Sequence, residues 1–83
     1  MHLEIITPDK QAYSGQVDGV KVPGAKGSFE ILNGHAAIIS SLTQGEVRIS
    51  TKGKSDETLK IDSGIVEMLN NKITILAESI LED

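Results

Sequence analysis

Few side chains in this 83-residue sequence could do chemistry. His2 and His35 are its only imidazoles and it has no cysteine, so any metal would fall to scattered carboxylates. Their spacing matches no zinc or calcium pattern. A histidine between a turn and a strand, as His35 is, more often serves as a hydrogen-bonding residue than as a ligand or base. The serines lack the G-x-S-x-G elbow that exposes a nucleophile. Gly24-Ala25-Lys26-Gly27-Ser28 sets Lys and Ser beside glycines, as phosphate loops do. Its spacing departs from G-x-x-x-x-G-K-[ST], however, and no helix follows to turn its N-terminus toward a phosphate. Two turn glycines explain it. Asp56-Glu57 and Glu82-Asp83 read as solvated pairs, with nothing to drive their pKa values apart as acid/base catalysis requires. The residues point away from an enzyme, and no metal or cofactor is expected.

Composition narrows the remaining classes. The length suits one domain over residues 1–83, near the lower size at which a single core suffices. Ile, Val and Leu together number 23, whereas Tyr13 and Phe29 are the only aromatics, so the core must be aliphatic. A net charge of −4 without a basic cluster argues against nucleic acid as a partner. The absence of cysteine rules out a disulfide scaffold and fits a reducing compartment. The first seven residues do not read as a signal peptide, and no segment approaches the roughly 20 apolar residues that cross a bilayer as a helix. Direct membrane insertion is not expected.

The elements that would position a site are short strands. Turn signals recur at Pro8-Asp9, Ser14-Gly15, Pro23-Gly24, Gly27, Asn33-Gly34, Gln44-Gly45, Lys52-Gly53, Ser63-Gly64 and Asn70-Asn71. Between them lie candidate strands at 3–7, 16–22, 28–32, 36–42, 46–51, 58–62, 65–69 and 72–76. Alternation in Val20-Lys21-Val22, Val47-Arg48-Ile49 and Leu59-Lys60-Ile61-Asp62 marks one buried and one wet face. Asn70-Asn71 suits a two-residue hairpin, because Asn tolerates positive φ. Residues 53–57 form a polar hairpin tip. The pattern predicts an all-β fold, a two-sheet antiparallel β-sandwich or flattened barrel of about 8–10 short strands. Residues 78–83 form a short tail or the start of a helix.

Residues 36–42, Ala-Ala-Ile-Ile-Ser-Ser-Leu, depart from alternation. Such a run is either buried on both faces or half-buried with its outer face against a partner. Double burial is hard to arrange in one small sandwich, which leaves a binding or structural module. A carbohydrate- or ligand-binding β-module is the alternative, disfavoured because sugar platforms are usually aromatic.

Seven ordered pieces resemble a known family. They are Leu3-Glu4-Ile5-Ile6-Thr7-Pro8, Tyr13-Ser14-Gly15, Val20-Lys21-Val22-Pro23-Gly24, and Gly27 with Ile31 and Asn33-Gly34-His35-Ala36. The others are residues 42–45 with Val47-Arg48-Ile49, Asp62-Ser63-Gly64-Ile65-Val66-Glu67, and Ile73-Thr74-Ile75-Leu76-Ala77-Glu78. Together they look like the epsilon subunit of the rotary F-type ATP synthase, in its N-terminal sandwich.

The resemblance implies a ten-strand sandwich followed by a two-helix hairpin, and this sequence stops where the hairpin would begin. Met1 and the acidic Glu82-Asp83 end favour a naturally short chain. It also implies a non-catalytic rotor subunit linking the gamma subunit to the membrane rotor ring, peripheral, at the cytoplasmic face of a bacterial inner membrane. Carried over by position, the gamma interface would comprise Thr7, His35, Ala36, Ile38 and Ser40. Ordinary strand-end hydrogen bonding is the alternative role for Thr7, His35 and Ser40. The ring interface would comprise Ala25, Lys26, Gly27 and Ser28. Ser28 stands where an acidic residue is common, Glu30 where Gly is, and Asn33 where Pro is, which bears on individual ring contacts.

Overall fold

The computed structural model describes residues 1–81, and all ten of its elements are strands. They are β1 (His2–Thr7), β2 (Lys10–Gln16), β3 (Gly19–Val22), β4 (Phe29–Leu32), β5 (Ile38–Leu42), β6 (Gly45–Ser50), β7 (Glu57–Ile61), β8 (Gly64–Leu69), β9 (Lys72–Ala77) and β10 (Ile80–Leu81). Two five-stranded sheets face each other: sheet A in the order β2-β1-β9-β8-β5, sheet B in the order β10-β7-β6-β3-β4. The sheets are open, so this is a sandwich and not a closed barrel. Pairing is antiparallel except between β1 and β9, which run parallel with Leu3 beside Ile73 and Ile5 beside Ile75.

Period-two alternation builds the core. Leu3 and Ile5 of β1, Val66 and Met68 of β8, and Ile73 and Ile75 of β9 turn inward from sheet A. Val20, Val22, Ile31, Val47, Ile49 and Ile61 meet them from sheet B. As the composition requires, this interior is aliphatic, with Met1 and Met68 as its two methionines. Tyr13 and Phe29 pack only at its periphery, each half-buried.

The expected strands hold at β1 and from β4 onward, with shifted ends, and two expectations change. Ser14-Gly15 is not a turn: β2 runs through it, with Gly15 opposite Leu3. The chain instead crosses between sheets at Val17-Asp18, where Val17 is buried. There Val17 N–H donates to Met1 O (2.8 Å), and Asp18 Oδ2 accepts from Lys52 N–H (2.6 Å). Because β2 is a polar edge strand, no run of apolar residues announces it. At the other end, Ser79 N–H donates to Asp62 Oδ1 (3.0 Å), and Ile80–Leu81 pairs with β7 instead of opening a helix. Glu82-Asp83 lies outside the described residues.

Asn70 and Asn71 do take positive φ (50° and 60°), closing β8 on β9 in a two-residue hairpin. At the opposite end of that ladder, Gly64 lies against β9. A Cβ there would collide with the Leu76 carbonyl oxygen and press on Ala77 Cα. Backbone cannot give way as a flexible side chain can. Gly64→Ala should therefore lower the unfolding free energy by about 2 kcal/mol or more in urea titrations. Gly15→Ala, whose nearest new neighbours would be Tyr13 ring atoms at 3.6 Å, should change it by less than about 1 kcal/mol.

Candidate partner-binding surfaces

The outer face of sheet A is unusually apolar for a surface. Of the five large hydrophobic side chains that are exposed, Ile39, Ile65, Leu69 and Leu76 all stand on it, and Leu32 ends β4. Register explains the grouping. Ile65 pairs with Leu76 and Leu76 with Ile6, so a greasy row crosses three strands, with Ser41 of β5 at its end. One step up, Ile39 pairs with Glu67 and Glu67 with Thr74. The polar flank is closed by Glu4, whose carboxylate meets Lys72 Nζ at 3.2 Å. A legible signal was the apolar content of Ile65-Val66-Glu67-Met68-Leu69 at both parities, which means a strand greasy on both sides.

Residues 36–42 divide by the same alternation. The strand begins at Ile38, with Ala36 and Ala37 in the exposed loop before it. Ile39 points outward and is 72% exposed, the most exposed large hydrophobic residue. Ile38 lies on the inner side, half-buried against the core. Ser40 also has inward parity at this edge, and Leu42 is buried. The outward apolar side chain on β5 is thus Ile39, while Ile38, expected at the gamma interface, leans on the core.

His35 sits in the exposed loop between β4 and β5, and its backbone N–H donates to Leu32 O (3.0 Å). Its Nδ1 is 2.7 Å from the Ala36 carbonyl. A carbonyl can only accept, so Nδ1 carries the proton that makes this bond. The loop is held by the β8–β9 hairpin: Asn71 Oδ1 accepts from Gly34 N–H (2.9 Å), while Asn71 Nδ2 donates to Asn33 Oδ1 (2.8 Å).

Thr7 stands apart from the others. It is buried at the end of β1, three strands away from β5, or about 14 Å at the usual strand spacing. Its hydroxyl lies 2.7 Å from Asp9 Oδ1 and 3.2 Å from Lys10 O, so it holds the Pro8-Asp9 turn. This bond holds the exposed Asp9 carboxyl below its ordinary range, helped by a backbone hydrogen bond and by Lys10.

Residues 25–28 form an exposed loop hung from buried Gly24, where a Cβ would meet Gly27 O at 2.6 Å and the Phe29 ring at 2.8 Å. Ala25 N–H donates to Ser41 O (2.9 Å), so the loop leans on the lower end of β5 and a groove runs between them. The two predicted interfaces therefore adjoin at β5. On sheet B, Lys21 pairs with Arg48 beside this loop, and Arg48 reaches Glu46 at 3.4 Å.

This arrangement of two sheets is the sandwich found in subunits of mitochondrial ATP synthases. A chain in the cryo-EM structure of the Euglena gracilis enzyme (OSCP/F1/c-ring) superposes with a TM-score of 0.88, covering 95% of this chain and 51% of that one. A chain of the Tetrahymena thermophila central stalk/c-ring superposes at 0.82, covering 98% and 65%. Identities of 16% and 18% make these likenesses of fold. The sequence is more specific. Over residues 1–83 the chain matches the family described as ATP synthase, Delta/Epsilon chain, beta-sandwich domain, and it belongs to that family. Its relatives include the ATP synthase epsilon chains of Chlorobium limicola (40% identical, 94% of this chain and 89% of the relative) and Nitratidesulfovibrio vulgaris (42%, 95% and 58%). The chain thus spans most of the first relative and little more than half of the second.

The Thr7–Asp9 bond has a measurable signature. In Thr7→Val, the Asp9 carboxyl should titrate higher by NMR, back toward the ordinary carboxylate range. A depressed folded pKa adds stability above the unfolded value, which is lost as pH falls through the folded one. The wild-type advantage over Thr7→Val should accordingly shrink in acid.

Proposed function

We propose that this domain is a non-catalytic subunit of the central rotor of a proton-translocating F-type ATP synthase, fixing the gamma shaft to the membrane ring. It would act as a peripheral subunit at the cytoplasmic face of a bacterial inner membrane. The observation that carries this reading is the apolar outer face of sheet A, on a chain of the delta/epsilon sandwich family. An exposed apolar group of this kind is what a subunit interface covers.

The gamma contact centres on β5 and the loop before it, with His35, Ala36, Ile38 and Ser40 joined by Ile39. Thr7 lies three strands away on the same sheet, where it would mark the far edge of the contact at the Pro8-Asp9 turn. Such an interface should bury on the order of 1,200–2,000 Å² in total. Residues 25–28, with the cation of Lys26, face the polar ring loops. Torque passes between the two because close-packed aliphatic layers deform little. The carbohydrate-binding alternative gains no support, since both aromatic rings pack against the core.

Capture by purified gamma subunit tests the reading. Ile39→Asp should weaken it at least tenfold while the β-type circular dichroism persists. Wild-type domain that fails to bind gamma would refute the proposal. If Asp at 39, 65 and 76 each leave capture intact, the shaft grips another face. Lys26→Glu should spare gamma capture but alter ring binding, with an effect that fades as salt rises.

A further inference from the structure

Sheets expose their edges, and three of the four edges here are blunted. β2 carries Lys10 and a bulge at Ala12, β4 has four residues including Glu30, and β10 has two. β5 has none of these devices. Its five residues are uncharged, and its outward side chain is Ile39. An uncharged open edge is a template for another strand.

Hydrogen bonds show which backbone groups are open. Ser41 O accepts from Ala25 N–H and Thr43 N–H donates to Pro23 O, both at 2.9 Å, and Gly24 bridges Leu42 in antiparallel fashion. Residues 23–25 thus already act as a strand fragment on the lower half of β5. Because alternate residues of a strand turn their backbone groups to the same side, Ile39 N–H and C=O leave the sheet in the direction of Ser41 O. No such fragment covers the upper half, residues 37–40.

We propose that the upper half of β5 receives a short extended segment of its partner, which hydrogen-bonds to Ile39 as an added strand. The segment carries an apolar side chain against Ile39 and Leu69 and a Lys or Arg directed at Glu67. Charge complementarity supports that choice. Glu67 is exposed directly across from Ile39, beside Leu69, and its carboxylate has no ion pair or hydrogen bond among the described residues. A second copy of this chain fits poorly. Two-fold pairing centred on Ile39 would bring Ala37 of the copy to Ser41, where residues 23–25 already lie.

This inference rests on the proposed gamma contact and states its mode: strand addition. Amide hydrogen exchange of the gamma complex tests it, together with Ile39→Pro and Ile39→Val. Proline removes an N–H that faces away from β8 and is tolerated on an edge, whereas valine keeps both the N–H and an apolar side chain. The expected results are at least tenfold slower exchange at the Ile39 amide on binding, at least tenfold weaker binding for Ile39→Pro, and near wild-type binding for Ile39→Val. Glu67→Lys should also weaken binding. A complex in which the Ile39 amide exchanges at its free rate would overturn strand addition and leave the gamma contact standing. Failure of the wild-type domain to bind gamma would overturn both. If Ile39→Pro does not fold, exchange in the wild-type complex decides.

Discussion

The structure depends on face-to-face packing of branched aliphatic side chains between two sheets. With no aromatic ring available to fill the centre, each sheet must deliver Ile, Val, Leu or Met at alternate positions, in register with the sheet across from it. A slip of one residue in any inner strand would turn that whole set to solvent. The parallel pairing of β1 with β9 serves the same end. It inserts Leu3 and Ile5 beside Ile73 and Ile75 and so places the N-terminal strand inside sheet A.

Side chains at the turns hold that register. The positive-φ pair Asn70-Asn71 closes the β8–β9 hairpin, and Asn71 then fixes the loop that carries His35. Thr7 and Asp9 hold the β1–β2 turn, and Asp18 secures the crossing from sheet A to sheet B. The loop that carries His35 and Ala36 and the turn that follows Thr7 are thus each held by side-chain hydrogen bonds.

Much of this was readable from residue order. Alternation in β6 and β7 and the Asn70-Asn71 turn follow from local physics, and the patterning of residues 36–42 marked β5 as the strand to watch. β2 was missed because an edge strand needs no apolar stripe, and because Ser14-Gly15 has the composition of a turn. Which of Ile38 and Ile39 faces outward is hidden for a related reason. With apolar side chains at both parities, sequence gives no indication of which one turns inward; pairing with Met68 and Glu67 settles it.

By itself the sequence determined the all-β class, the aliphatic core, the lack of cysteine chemistry and, through seven ordered motifs, the family. Those properties come from residue type and short-range spacing, which the chain carries wherever it folds. Tertiary structure alone decided that Ile6, Ile39, Ile65 and Leu76 share one outer face, that Thr7 turns inward, and that residues 23–25 occupy only half of the β5 edge. These depend on strand order and register between segments far apart in sequence, which no local pattern encodes.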